Sequence, residues 1–205
     1  MAMSVESVGY RGKRLVDIAF AAVACVVFSP VVLILAFAIW FEDRGSPLFA
    51  QIRIGALRKN FEILKFRTMR AGVVTRTGRW LRSTGLDELP QFVNVCRGAM
   101  SIVGPRPLTS QDIERLNWAC ERHEWRFAMK PGITGLAQLM GGRSARYSSR
   151  LDRLYLQRQS VALDVRIIVL SFITNIVGKR NVRSWIRSPR RSSTSTSRVC
   201  SRARG

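Results

Sequence analysis

Acidic residues and histidine are scarce in this sequence. Thirteen Asp and Glu stand against 34 Lys and Arg, for a formal net charge of +21. A surplus that large calls for an anionic partner, whether nucleic acid, lipid headgroups or a phosphorylated substrate, and charge alone does not choose among them. No nucleic-acid fold motif is present, so a nucleic-acid partner is not expected. The one histidine, His123, lies in the polar run CERHEW and reads as a surface residue. The four cysteines (Cys25, Cys96, Cys120 and Cys200) lack metal-ligand spacing. They read as reduced, cytoplasm-facing thiols.

The most acid-poor stretch is the segment 178–205, which carries nine Lys or Arg residues and no carboxylate. It is a separate compositional unit. Its Ser, Arg and Pro content offers little to bury, so the part after Pro189 is expected to be disordered or to lie on an anionic surface. The chain of 205 residues has room for one compact domain with a membrane anchor and this tail.

Charge is also missing from Ile18 to Phe41, 24 residues that meet the length criterion for a membrane helix. The run continues into Trp40 and Phe41, unlike the small-residue cleavage site of a signal peptide. Ser29 and Pro30 sit in its middle, and proline lacks a backbone donor and clashes with the preceding turn, so a kink or break is expected there. Each arm would be about 17 Å long, little more than half of a hydrocarbon core. Basic residues flank both sides: Arg11, Lys13 and Arg14 before the run, and Arg44, Arg53, Arg58 and Lys59 after it. The positive-inside rule wants an asymmetry, whereas a helix that enters and returns satisfies both flanks. A spanning helix with a tolerated proline kink stays equally open on these grounds.

The remainder, 42–177, reads as mainly helical α+β. GSPLFAQIRIG (45–55) and FEILKFRTM (61–69) alternate as short strands of a hairpin. The segment 77–108 shows helical spacing around the acidic pair Asp87 and Glu88 and ends in a Gly and Pro loop. Helix is predicted over 109–129, stopped by Pro131 and Gly132. It returns over 148–177, where an apolar surface suits either a bilayer interface or a buried core. Taken without its flanks, the acidic pair fits an ordinary helix N-terminus, with Pro90 suited to the first turn.

From about Lys13 to about Ile176 the chain resembles the small monotopic phosphoglycosyl transferases, the bacterial sugar transferases that prime polysaccharide or glycoprotein glycan assembly. The resemblance is carried by KRLVD, the Ser29 and Pro30 break, GSPLFAQIRIG, KFRTM, GRWLR, LDELPQFVNV, MSIVGPRPL, PGITGLAQ and the following Gly142 and Arg143.

The resemblance implies a basic N-terminus (1–14), a re-entrant membrane helix hairpin (15–41), a catalytic domain (42–177) on the cytoplasmic face of the inner membrane, and the basic tail. It implies that Asp87 attacks the β-phosphorus of a UDP-sugar to form a covalent phosphosugar ester and release UMP. Polyprenol phosphate, usually undecaprenyl phosphate, then accepts the phosphosugar, which later glycosyltransferases of the same pathway extend. Magnesium is implied as cofactor, with Asp87 and Glu88 as its candidate ligands, since a diphosphate beside two carboxylates needs a cation.

Arg82, Arg106 and Arg143 match family arginines placed to hold phosphate or nucleotide, a task that suits their planar fork. Lys65, Arg67 and Lys130 are further candidates, which in so basic a chain also suit solvent or lipid headgroups. The sequence departs from the family pattern at Ala99, Gly85 and Ser144, where Asp, Ser and Asn are usual. A non-catalytic, membrane-anchored basic protein is the competing reading.

Overall fold

The fold is described from a computed structural model, which covers residues 9–141 and 144–177. The basic tail 178–205, Gly142 and Arg143 lie outside the described residues, as do positions 1–8 of the basic N-terminus.

Helix α1 runs from Lys13 to Asp43 without interruption. Of the kink or break expected at Ser29 and Pro30, the break is corrected, since Pro30 lies inside the helix. Proline at this position deprives the Val26 carbonyl of its helical partner four residues on. The Ser29 hydroxyl donates to that same carbonyl at 2.8 Å and takes the place of the missing N–H. By length and composition α1 is the one helix among the described residues that could cross a membrane.

Both ends of α1 are bonded to the folded unit that follows. Near its start, Arg14 donates to the Val95 and Cys96 carbonyls at 2.7 and 3.1 Å. One turn on, the buried Asp17 accepts from Ser101 Oγ (2.7 Å) and the Ile102 N–H (3.1 Å). At the far end Asp43 pairs with Arg67, and Glu42 accepts the N–H groups of Arg76 and Thr77. Between these ties much of the helix is exposed and apolar, with Val26, Val27, Leu33, Ile34 and Phe37 all open.

The predicted hairpin is present as β1 (Leu48–Ile54) and β2 (Asn60–Phe66), antiparallel with Phe49 opposite Lys65 and Arg53 opposite Phe61. A two-residue pair, β3 (Met69–Arg70) and β4 (Val73–Val74), leads into α2 (Arg76–Thr84), capped by the Thr75 side chain. The predicted helix around the acidic pair is divided. Gly85 adopts a left-handed backbone (φ 76°) that ends α2, and a single 3₁₀ turn, Leu86–Glu88, precedes α3 (Gln91–Cys96). A short parallel pair follows, β5 (Ser101–Val103) with β6 (Gly132–Thr134).

Between the strands of that pair the predicted long helix is again two. Helix α4 (Ser110–Arg115) opens with a capping box between Thr109 and Asp112, and α5 (Glu124–Phe127) follows a turn at Asn117, whose φ is 53°. After α6 (Leu136–Leu139) come α7 (Ala145–Arg158) and α8 (Val161–Val177). Ser160 separates the last two: its hydroxyl accepts from the Leu163 N–H and its carbonyl from that of Asp164.

The main core gathers Ala21 of α1, Ile63, Val95, Met100, Ile102, Val103, Tyr155 and Ile167. A second cluster joins Leu35 and Ile39 of α1 to Phe66 and Leu81, with Leu86 and Leu89 packed against it. The long apolar helix and the folded unit that follows it thus share their interior. A polar clasp closes the same junction, where Asp164 accepts from Lys13 (2.7 Å), Tyr10 (3.1 Å) and Tyr155 (2.7 Å).

Candidate active site

The acidic pair is placed by the elements on either side of it. Leu86 and Leu89 anchor its turn against the second half of α1, while Phe92, the second residue of α3, packs against the rings of Phe20 and Phe28 at 6.4 Å. Asp87 and Glu88 are left partly buried on the wall of a cleft of about 1660 Å³.

Cations surround the pair. Lys65 reaches from β2 to Glu88 Oε1 at 3.1 Å. Arg82, in the last turn of α2, is steadied by the Thr68 hydroxyl, which its Nε contacts at 2.8 Å. Helix α2 lies close enough for this because residue 78 is glycine, where a Cβ would stand 2.2 Å from the Thr68 carbonyl oxygen. Arg67 lines the same cleft while paired with Asp43.

Burial lifts the Asp87 carboxyl above its ordinary range, and the neighbouring Glu88 charge adds to the rise. Lys65, the backbone N–H and Arg82 oppose it. A carboxylate set between cations, yet partly desolvated, is a candidate nucleophile or proton carrier rather than a saturated ion pair.

Arg106 lines the cleft from the loop after β5. Sequence reasoning missed what holds that loop. Arg126 of α5, 5% exposed, donates to the Arg106 carbonyl at 2.8 Å while pairing with the buried Asp152 of α7 at 3.1 Å. Its guanidinium also lies over the Trp118 ring, 5.0 Å from the centroid. An Arg and an Asp 26 positions apart give no local pattern to find. Two glycine-bearing loops interlock beside it: Gly104 N–H donates to the Thr134 carbonyl and Gly132 N–H to that of Pro105, both at 2.9 Å. A Cβ on Gly132 would meet Gly104 N at 2.1 Å.

Of the sequence-predicted residues, Asp87, Glu88, Lys65, Arg67, Arg82 and Arg106 share the cleft. Lys130 does not line it. It sits near Arg14 and Asp17, where burial and then the Arg14 charge lower its pKa. Ser29 and Pro30 are exposed on α1. Among the described residues no group of three or more His, Cys, Asp or Glu could hold a metal by itself. Two adjacent carboxylates do fit magnesium, which uses one or two protein carboxylates and draws its other oxygens from phosphate and water.

The model of the family described as bacterial sugar transferase matches residues 8–178, and the chain belongs to that family. A UDP-glucose:undecaprenyl-phosphate glucose-1-phosphate transferase from Klebsiella pneumoniae is 36% identical over 188 residues, which cover 82% of this chain and 40% of that protein. A UDP-N-acetylgalactosamine-undecaprenyl-phosphate N-acetylgalactosaminephosphotransferase from Aeromonas hydrophila is 35% identical over 185 residues, covering 81% and 44%. The exopolysaccharide production protein ExoY of Rhizobium meliloti is 34% identical over 196 residues, covering 80% and 85%. The chain therefore spans less than half the length of the first two relatives and most of the third.

Proposed function

We propose that this chain transfers a sugar 1-phosphate from a UDP-sugar to undecaprenyl phosphate, the priming step of a polysaccharide or glycoconjugate. The observation that carries the reading is the partly desolvated Asp87 carboxylate, set in the cleft with Lys65 and Arg82. A carboxylate oxygen of Asp87 attacks the β-phosphorus, the bond from that phosphorus to the bridging oxygen breaks, and UMP leaves with the electron pair. An oxygen of the acceptor phosphate then attacks the same phosphorus, and Asp87 is released as carboxylate. Lys65 and Arg82 stabilise charge on the phosphoryl oxygens, and Lys65 also holds Glu88 beside the nucleophile. Magnesium bound by Asp87, Glu88 and the diphosphate would supply charge neutralisation there.

The ties at both ends of α1 support a reading of the membrane disposition. A helix that spans a bilayer puts its ends on opposite sides of a hydrocarbon core about 30 Å thick. Here Asp17 and Asp43 are both bonded to the one folded unit. That supports a helix which enters and leaves the inner membrane on the cytoplasmic side, with the cleft at the headgroups. The products would pass to later glycosyltransferases. The two sugars named for the relatives, glucose and N-acetylgalactosamine, are the first donors to try.

The test is exchange of labelled UMP into the UDP-sugar, in detergent with magnesium and no acceptor. A two-step reaction gives exchange, and Asp87→Asn abolishes it. Turnover that requires acceptor and shows no exchange without it would remove Asp87 from the role.

A further inference from the structure

Arg53 leaves β1 on the same strand face as Phe49 and Gln51, and all three line the cleft. Phe49 is opposite Lys65, so Arg53 is displaced from the Lys65 position by four residues, about 13 Å along the strand. Both terminal nitrogens of the guanidinium have partners. Its Nη2 donates to Gln51 Oε1 at 2.6 Å, and its Nη1 stands 3.4 Å from both the Pro107 carbonyl and Asp112 Oδ2. The Nε is buried and has no partner among the described residues.

The charge around it is unbalanced. Arg53, Arg106 and Arg115 line this part of the cleft against the single carboxylate of Asp112, which Arg115 also contacts at 2.8 Å. Burial and then the Arg106 charge weaken the hold of Arg53 on its proton. Around Asp87, by contrast, Lys65, Arg67 and Arg82 are matched by Asp43, Asp87 and Glu88. Like-charged guanidiniums gathered beside a partly desolvated, unpartnered N–H form a place for an anion.

We propose that Arg53, with Arg106 and Arg115, is the subsite for the phosphate of the departing nucleotide, so that the UMP half of the donor lies along β1 with its sugar-bearing phosphorus toward Asp87. This rests on the transfer reading given above. The acceptor also carries a phosphate, but its isoprenoid belongs with α1. The core cluster beneath Arg106, made of Leu108, Ile113, Trp118 and Phe127, contains no residue of α1. The nucleotide is therefore the source of the anion here.

Equilibrium binding of UMP and of uridine to the full chain in detergent, for wild type, Arg53→Gln and Arg53→Lys, tests the assignment. Loss of a charge-assisted, bidentate contact weakens UMP binding by about 10- to 100-fold in Arg53→Gln and leaves uridine unchanged. Arg53→Lys, which keeps the charge without the fork, falls between. The KM for UDP-sugar rises in step, and that for undecaprenyl phosphate stays constant. Unaltered UMP affinity, or equal losses for UMP and uridine, overturns the proposal. So does a KM increase confined to undecaprenyl phosphate, which would give the subsite to the acceptor. A wild-type chain that binds UMP but never exchanges it strikes the covalent step alone, since the UMP-to-uridine comparison still supports the subsite; one that binds no UMP overturns both.

Discussion

Arg126→Met removes the guanidinium that supports the loop carrying Arg106. The side chains of Arg126 and Asp152 are 5% and 4% exposed, so solvent cannot take over for the lost partner. Stranding a buried carboxylate in this way costs about 3–5 kcal/mol. For a chain of this size each kcal/mol lowers the melting temperature by about 2–4 °C, which gives a loss of about 6–20 °C. Arg126→Met together with Asp152→Leu removes both charges, and most of that stability returns because no ion is left unpaired. Activity does not return with it. The Arg106 carbonyl still lacks the donor that stands at 2.8 Å in the wild type, so the loop is free to shift. Tryptophan-fluorescence melting in detergent, run beside UMP exchange on the same preparations, separates the two effects. A single variant that melts within about 2 °C of wild type would contradict the buried-pair energetics. A double variant with full exchange would show that Arg126 supports only the fold.

The raised Asp87 pKa sets the sign of two pH effects. Without magnesium and substrate, the Asp87 carboxyl followed by NMR titrates above the ordinary aspartate value of 3.8, further up in Lys65→Met and lower in Glu88→Gln; a wild-type titration at or below 3.8 refutes the burial effect. Because folding raises this pKa, ionising Asp87 costs stability as pH rises through it, so Asp87→Asn melts above wild type at neutral pH and the gap closes on acidification. For topology, a single reactive cysteine at Arg11 and another at Lys59, each in a chain otherwise free of cysteine, label from the cytoplasmic side only. Pro30→Leu moves Arg11 to the periplasmic face in part of the population, and a periplasmic Arg11 in the unaltered helix refutes the re-entrant reading.

Local chemistry that stays within a few residues was readable directly. The hairpin of β1 and β2 follows from alternation and the stop at Pro131 from proline, whereas Asp87 and Glu88 were singled out through the family resemblance, since without its flanks the pair reads as an ordinary helix N-terminus. Helix interruptions were harder, because a single residue in a left-handed backbone at Gly85 or Asn117 divides a stretch whose apolar spacing continues unbroken. At Pro30 the difference runs the other way: of the kink or break expected there, the helix carries no break. Its effect on the helix depends on the hydroxyl beside it, which a rule about proline alone does not include. Lys130 and Arg53 were harder to tell apart for a third reason. Both are cations in a cation-rich chain, and only the packing of α1 against β5 and α3 sends one toward Asp17 and leaves the other facing the cleft.

The clasp around Lys13 also bears on how the protein is made. Lys13 is bonded to Asp164, a residue 151 positions later, and Asp17 to Ser101, 84 positions later. At bacterial and eukaryotic synthesis rates of about 5–20 residues per second, the partner of Lys13 emerges about 8–30 s after the helix itself. Throughout that interval the nascent chain presents an apolar helix in whose first turns Lys13 and Asp17 have only each other, 3.8 Å apart, as charged partners. The insertion machinery must therefore choose the helix's orientation before the domain that will hold both its ends exists. Residues such as Ser29 and Pro30, which act within the helix alone, are the ones able to inform that choice.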